Sequence, residues 1–193
     1  MSKLKRSDLY TLEKYAEIRG EFRKKIMAHK ENRRVEIGQH LLLLFEDKLT
    51  MQYQIQEILK AEKIFEAADI EEELEAYNPL IPDGTNWKAT MMIQYDDVEE
   101  RRKMLGELVG IEDVTYMQIE GFDKVFPISD EDLSRDDEHK TSAVHFLRFE
   151  LDPDMINAAK QSAPIFAGVE HEKYNHTTKL ADNTRASLVS DFD

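Results

Sequence analysis

The chain contains no cysteine, and this absence removes several kinds of chemistry at once. A chain without cysteine has no disulfide, no cysteine nucleophile, no thiolate zinc site and no iron–sulfur cluster ligated by its own thiolates. The absence also fits a reducing compartment. We therefore expect a cytoplasmic protein.

Glycine is scarce too, with seven residues in 193, and long apolar runs are missing. The sequence contains neither the glycine-rich patterns of phosphate-binding loops nor the GxSxG pattern of a nucleophile elbow. No window approaches eighteen uncharged apolar residues, and the first fifteen residues have no apolar core of a signal peptide. We expect neither a membrane span nor a secretion signal.

Positive charge is in deficit, because 40 acidic residues face 26 basic ones and the formal net charge is −14. Binding to nucleic acid or to an anionic membrane needs clustered positive charge, so neither partner is expected. With 41% hydrophobic and 34% charged residues, the composition is that of a soluble globular protein. The length predicts one domain with its own core.

The first third of the chain shows two periodicities. Apolar residues three and four positions apart predict a first helix with Ser7 or Thr11 as its N-cap, and Gly20 leaves open whether this helix is split. Alternation then predicts one strand over residues 35–46. One side of this strand is apolar and carries Val35, Ile37, Leu41, Leu43 and Phe45.

A long helix is predicted next, over residues 49–68, and a shorter one is expected to begin with Asp69 as its cap. The dipeptide at residues 78–79 and the Pro-Asp-Gly sequence at residues 82–84 end the shorter helix in a loop.

The rest of the chain adds four predicted strands and two predicted helices. Residues 87–95 read as a strand that leads into a helix capped by Asp96 or Asp97. A hairpin is expected to turn near Gly121, and residues 142–151 form the clearest strand of the chain. Asp152 and Pro153 together predict the start of another helix, since proline suits the first helical position.

These elements predict an α+β fold in a single domain over residues 1–166. It has a mixed or mainly antiparallel sheet of four to five strands packed with helices. The polar segment at residues 130–140 is expected to be a short acidic helix or a mobile connection. From Ala167 onward we expect a polar C-terminal tail, residues 167–193, that is irregular apart from one helical turn near its end.

The segment LTMQYQIQEILKAEKIF, residues 49–65, carries polar side chains on a helix that should be apolar on one face. At about 100° per residue, Gln54 and Glu62 fall in the apolar sector around Ile58, whereas Gln56 points to solvent. A buried carboxylate needs a partner. We expect Glu62 to pair with Arg33 or Arg34, although a ligand-lining carboxylate and an exposed one are the alternatives.

Other polar residues extend this candidate cluster. His145 alternates with apolar residues and faces inward on its strand, as either a core histidine or part of a site. The candidate buried polar cluster is therefore Arg33, Arg34, Gln54, Glu57, Glu62 and His145. In an enzyme, Gln54, Glu62 and His145 would converge beneath the loop and bind a small molecule or a metal such as iron, manganese or zinc.

Two further pairs are weaker candidates. His171 and His176 are five residues apart and lack the spacing of a zinc-binding helix, so a solvated tail explains them better than a metal site. Tyr77 and Trp87 flank the loop, either as the wall of a ligand site or as anchors of the loop. No cofactor is predicted, and a metal site without cysteine stays open.

Three segments resemble a known bacterial family. RRVEIGQHLLLLFEDKLTMQYQIQEILKAEKIF, AYNPLIPDGTNWKAT and SAVHFLRFEL are similar to sequences of the uncharacterised family DUF3501. Members are often encoded beside a rubrerythrin-like protein and an iron–sulfur oxidoreductase. The resemblance thus implies a role linked to redox or peroxide chemistry. It assigns no catalytic residue, and the matching positions worth testing are Arg33, Arg34, Glu46, Gln54, Glu57, Glu62 and His145.

Two functional hypotheses follow. The first is a non-catalytic accessory protein that binds a partner, for example a redox protein of the same operon, with its acidic surface steering the encounter. The second is a metal- or small-molecule-dependent enzyme with a carboxylate and histidine pocket. The sequence leaves the oligomeric state open.

Overall fold

The computed structural model describes residues 3–131 and 140–193. In these residues the chain forms six α-helices, two short 3₁₀ helices (Arg6–Asp8 and Asn78–Leu80) and eight strands. The α-helices are α1 (Leu12–Glu31), α2 (Lys48–Glu62), α3 (Ala67–Tyr77), α4 (Val98–Glu107), α5 (Pro153–Lys160) and α6 (Asp182–Val189). The strands are β1 (Arg34–Ile37), β2 (Leu41–Phe45), β3 (Asn86–Ile93), β4 (Thr115–Ile119), β5 (Ile128–Ser129), β6 (Val144–Glu150), β7 (Ile165–His171) and β8 (Tyr174–Lys179).

The strands form two antiparallel sheets. The larger sheet has five strands in the order β1-β2-β3-β6-β5, and the smaller has the order β4-β7-β8. The predicted α+β fold is confirmed, but the sequence did not indicate the second sheet. Because β3 and β4 belong to different sheets, the strands on either side of α4 are not parallel neighbours.

One face of the five-stranded sheet carries the main core. Val35, Leu43, Met91, Leu147 and Phe149 are buried there, as strand alternation requires. The opposite face, called the outer face below, is only half-buried along β3 and β6, where Lys88 pairs with Arg148 and Thr90 with Phe146. A second apolar cluster joins α2 and α3 to the N-terminal residues and contains Leu4, Met51, Ile55, Leu59, Ile70, Leu74 and Ile81.

The single strand predicted over residues 35–46 is wrong, because the chain turns back within it. Gly38 adopts a left-handed conformation with φ of 67°, and Val35 of β1 pairs with Leu43 of β2. Glycine reaches this conformation at little energetic cost. The predicted apolar side is nevertheless buried, since both strands of the hairpin present it to the same core.

The hairpin predicted near Gly121 is only half present. The chain does turn there, with φ of 88° at Gly121, and one antiparallel bridge joins Met117 to Val125. Beyond that bridge, β4 pairs with β7 and β5 pairs with β6, so the two segments belong to different sheets.

Several helix ends agree with their local signals. Thr11 caps α1 by accepting a hydrogen bond from the backbone of Lys14, and α1 runs through Gly20 without a break. Asp97 caps α4, and Asp152 caps α5. Two boundaries were predicted wrongly: α2 ends at Glu62 because the next residue is left-handed, and α3 begins two residues before Asp69.

The irregular tail predicted from Ala167 is also wrong. Strand β7 crosses the predicted boundary and pairs with β4 and β8, and α6 follows. Strand β8 lies at a sheet edge with most side chains in solvent, so its sequence lacks the alternation that reveals a strand. Of the acidic segment predicted at residues 130–140, residues 132–139 lie outside the described part of the chain.

Across the described ranges, no helix combines the length and the apolar character that crossing a bilayer requires.

Candidate functional site

A cavity of about 420 Å³ lies where the outer face of the five-stranded sheet meets the C-terminal half of α3 and the turn that follows it. Its lining comes from β3, β6 and α3, from the 3₁₀ turn after α3, and from single residues that follow β2 and β5. These residues are Glu46, Glu73, Ala76, Tyr77, Pro79, Leu80, Lys88, Ala89, Glu131, Phe146, Leu147 and Arg148. One wall is formed by α3 and the turn after it, and the other by the sheet strands β3 and β6.

Glu46 is the most buried carboxylate of this lining, with 7% of its surface exposed. It follows β2 directly, and its backbone N–H donates to the carbonyl of Lys88. One carboxylate oxygen accepts from the hydroxyl of Thr50 at 2.7 Å and the other from that of Thr90 at 3.0 Å. These two hydrogen bonds fix the orientation of the carboxylate. Within residues 3–131 and 140–193, no lysine, arginine or histidine forms an ion pair with it.

The two cations of the lining are already engaged. Lys88 Nζ donates to the carbonyl of Pro79 and to Asp83 Oδ2, both at 2.7 Å. Arg148 donates from Nε and Nη2 to the carboxylate of Glu131, at 2.8 and 2.7 Å, and from Nη1 to Glu150. Burial lowers the pKa of Lys88, although Asp83 opposes this shift. Each cation is therefore matched by at least one carboxylate.

The α3 side of the cavity is acidic. Burial raises the pKa of Glu73, and the charges of Glu62 and Glu72 raise it further. Burial also raises the pKa of Tyr77, with Glu73 adding to the effect and a hydrogen bond with Gln54 opposing it. A proton or another cation is accordingly favoured near Glu73.

The turn that closes the cavity is held by the N-terminal residues. The side chain of Asn78 bonds both backbone groups of Leu4: its Nδ2 donates to the carbonyl at 3.0 Å, and its Oδ1 accepts from the N–H at 2.8 Å. Lys3 Nζ donates to the carbonyl of Ile81 at 2.8 Å and pairs with Asp83 at 2.7 Å. This wall is positioned by residues more than seventy positions away.

The predicted pairing of Glu62 with Arg33 or Arg34 is wrong. Glu62 is exposed at the end of α2, and Arg34 is exposed with its Nη2 2.6 Å from Glu36. The buried face of α2 is rotated from the predicted one and carries Thr50, Met51, Tyr53, Ile55, Gln56 and Leu59. Gln56, expected in solvent, is therefore inside.

Arg33 is buried, but its partners lie elsewhere. Its guanidinium pairs with Asp191 in a bidentate contact and lies 3.5 Å from Asp47 Oδ2. Asp47 in turn lies 2.5 Å from His29 Nε2. Burial raises the pKa of Asp191 to about 6, even though the charge and hydrogen bonds of Arg33 lower it. This cluster joins the C-terminal segment to the start of β1.

Glu57 and Gln54 have separate roles. Glu57 accepts from Arg19 Nε at 2.8 Å, from Arg19 Nη2 at 2.7 Å and from the hydroxyl of Tyr15 at 2.6 Å, which joins α2 to α1. Gln54 bonds with Tyr77, a lining residue of the cavity. Arg33 also contacts a lining residue, since its Nη2 donates to the carbonyl of Glu46 at 3.0 Å.

His145 is fully buried in a different polar network. Its Nδ1 lies 2.6 Å from Asp130 Oδ2, and its Nε2 lies 2.8 Å from Thr141 Oγ1 and 3.7 Å from Glu112 Oε2. Alternation along β6 places it on the face opposite to Phe146, away from the cavity. The structure therefore does not bring Gln54, Glu62 and His145 together.

The remaining candidates act as ordinary structural residues. Trp87 Nε1 donates to the carbonyl of Leu188 at 2.9 Å, and its ring packs 4.9 Å from that of Phe192. It therefore anchors the C-terminal segment. His171 Nε2 contacts the carbonyl of Val109 at 3.3 Å, and His176 packs edge-on against a tyrosine. Within the described ranges no three histidine or carboxylate side chains are placed to hold a metal ion.

Sequence reasoning missed Lys88, Thr90 and Arg148 as site residues. Their positions fit the alternation of β3 and β6, but this pattern is the same for a face in solvent and for the wall of a cavity. Only the packing of α3 over that face distinguishes the two cases.

Comparison with known proteins gives a family and a close structural relative. The profile of DUF3501, described as "Protein of unknown function", matches residues 3–192. The crystal structure of a novel protein of unknown function from Burkholderia pseudomallei K96243 is similar over 100% of both chains, with 47% sequence identity and a TM-score of 0.94. No curated protein matches the chain.

Proposed function

The chain belongs to DUF3501, a family of proteins of unknown function, and we propose that it is an accessory protein that binds a small organic molecule in the cavity beside Glu46. Membership confirms the resemblance seen in three segments of the sequence. Since the family description names no ligand, the proposal rests on the residues of this chain.

The composition of the cavity supports ligand binding. Sites for small molecules in proteins are clefts of about 300–1,000 Å³ with mainly apolar walls and a few convergent polar groups. The cavity, at about 420 Å³, falls within this range. Tyr77, Leu80 and Phe146 supply apolar walls, and Glu46 supplies a fixed polar group. This combination is the observation that carries the proposal.

A fragment screen by ligand-observed NMR tests it. We expect hits that bind the wild-type protein and are displaced by one another. Ala76→Trp, at an exposed lining position of α3, should fill the opening and weaken these hits at least about tenfold. Ala68→Trp is the matched control, because it makes the same change on α3 outside the lining. Hits that survive Ala76→Trp unchanged would contradict the proposal.

A second surface favours the partner-binding hypothesis. Phe65 is 68% exposed at the rim of a groove of about 400 Å³. Tyr10, Leu59 and Ile64 are among its lining residues. An exposed aromatic side chain beside an apolar groove is typical of a protein–protein contact. We propose that the partner is the redox protein implied by the family resemblance, and that it presents a basic rim to this acidic chain.

Affinity purification from a native host at low and at high salt tests the partner. Recovery should fall at high salt, because surface charge attraction is screened. Phe65→Ser should reduce recovery at both salt concentrations, whereas Phe126→Ser, which removes another exposed aromatic ring, should not. Equal recovery with both variants would count against this groove.

A further inference from the structure

We infer that the ligand of the cavity is an organic ammonium, whose charged nitrogen lies against Glu46 and whose apolar body lies against the walls. This inference rests on the proposed function, since it names the chemical class of the molecule that the cavity takes. It is carried by the charge balance of the lining and by the geometry of one carboxylate.

The charge balance leaves negative charge inside the cavity. Lys88 and Arg148 are matched by Asp83 and Glu131, as described above. Glu46 and Glu73 also line the cavity, and neither forms an ion pair with any residue that the structure describes. A bound cation would therefore complete the balance, whereas an anion would have to displace an existing ion pair.

The geometry of Glu46 leaves room for a donor. A carboxylate has about four acceptor positions. The hydroxyls of Thr50 and Thr90 occupy one position on each oxygen and fix the orientation of the group. An ammonium carries three donors and can use a remaining position. Because Glu46 is buried, the attraction is stronger than it would be in water.

The same residues favour an organic cation over a metal ion. Metal ions need several protein oxygen or nitrogen ligands, and the described residues contain no such group of three. An ammonium needs fewer contacts with the protein. The apolar walls formed by Leu80 and Phe146 can pack against the hydrocarbon part of an organic ligand. A hydrated metal ion has no apolar part to bury there.

Three probes that share a phenylethyl body and differ in the charge of the head group test the inference on the intact protein. They are 2-phenylethylammonium, 2-phenylethanol and 3-phenylpropionate, titrated by NMR. The ammonium should bind at least about tenfold more tightly than the alcohol, because a charge-assisted hydrogen bond replaces a neutral one. The carboxylate should bind most weakly. Equal affinities for ammonium and alcohol would overturn the inference.

Three single substitutions test which carboxylate binds the ammonium group. Glu46→Gln keeps the shape of the side chain and should lower the affinity for the ammonium about tenfold, with the affinity for the alcohol nearly unchanged. Glu73→Gln, at a half-buried lining position, should lower it by a smaller factor. Glu99→Gln, on the exposed face of α4, is the control and should change neither. An unchanged preference in Glu46→Gln would also overturn the inference.

The outcomes separate this inference from the proposed function. If the alcohol binds as well as the ammonium and Ala76→Trp blocks both, the cavity binds ligands but does not select a cation. If no probe and no fragment binds, the proposed function itself is wrong. If Glu46→Gln fails to fold, the three probes are compared on the wild-type protein and on Glu73→Gln instead. A preference for the ammonium that is smaller in Glu73→Gln supports the inference, and equal affinities for ammonium and alcohol in the wild type overturn it.

Discussion

Arg33 and Asp191 form a bidentate ion pair that is almost completely buried, with Nη2–Oδ2 at 2.5 Å and Nη1–Oδ1 at 3.1 Å. Arg33 is only 1% exposed, and it also donates to the carbonyls of Phe45 and Glu46. The pair therefore joins the third residue from the C-terminus to the edge of the cavity.

Removing Asp191 should be strongly destabilising. Asp191→Ala removes the bidentate partner of the buried Arg33 guanidinium and leaves only Asp47, 3.5 Å away, as a carboxylate beside it. Breaking a buried pair typically lowers the free energy of unfolding by about 3–5 kcal/mol. Glu62→Ala, at the exposed position once expected to pair with Arg33, should change it by less than about 0.5 kcal/mol. Urea denaturation of both variants measures the difference. Similar midpoints would mean that the ion pair contributes little.

Gln56 should contribute to the stability of the fold, although its helical phase predicted a solvent-exposed side chain. Its Oε1 accepts from the N–H of Tyr10 at 2.5 Å, and its Nε2 donates to the carbonyl of the same residue at 3.3 Å. Gln56→Ala leaves both backbone groups without this partner and should lower the free energy of unfolding by about 1–3 kcal/mol. Lys60→Ala, on the exposed side of α2, is the control. A thermal melt showing equal losses would contradict this role.

Glu57 should make stability depend on pH in the acid range. The hydrogen bond from Arg19, opposed by burial and helped by Tyr15, lowers the pKa of Glu57 from 4.5 to about 2. A depressed pKa means that the stabilisation is fully present above about pH 4.5. It is lost as the pH falls towards 2, because the unfolded chain takes up the proton first.

Glu57→Gln should flatten this dependence. The variant should be less stable than the wild type at pH 6, and the gap should narrow as the pH falls from about 4.5 to 2. Thermal melts across this range measure the gap. Glu17→Gln, which removes an exposed pair with Lys14, should keep the slope of the wild type. A constant gap between pH 6 and 2 would show that Glu57 is not the titrating group.

Two glycine-to-alanine substitutions should change the free energy of unfolding in opposite directions. Gly38→Ala places a Cβ in a left-handed turn and 2.5 Å from the hydroxyl of Tyr174, which is fixed by bonds to the backbone of Ile37 and His40. It should destabilise the fold by about 1–3 kcal/mol. Gly20→Ala meets nothing within 4 Å on an exposed helical surface and should stabilise it by about 0.5–1 kcal/mol. Chemical denaturation of both variants tests the contrast.

The sequence by itself determined the features that depend on neighbouring residues. Asp152 was predicted as a cap, and Thr11 and Asp97 were each one of two predicted candidates, because a cap bonds to a backbone N–H about three positions later. Alternation revealed β3 and β6, since both have one buried face and one half-buried face. These signals were sufficient for the α+β fold class and for most of the helix starts.

The tertiary structure decided the features that join distant residues. The buried face of α2 is set by contacts with α1 and α3, so Gln56 is inside and Glu62 outside, although both fit a helix equally well in sequence. Strand β8 is recognisable only through its pairing with β7, and the partner of Arg33 is 158 positions away.

The cavity follows the same rule. Glu46, Lys88 and Arg148 come from three segments, and each has a local pattern that fits a solvent-exposed position. Their convergence depends on where α3 packs and on how residues 3–4 hold the turn after it. Local sequence patterns reflect how well a residue fits its own helix or strand. The packing of two surfaces is instead stabilised by contacts between segments that are distant in sequence, and these contacts are visible only in the folded chain.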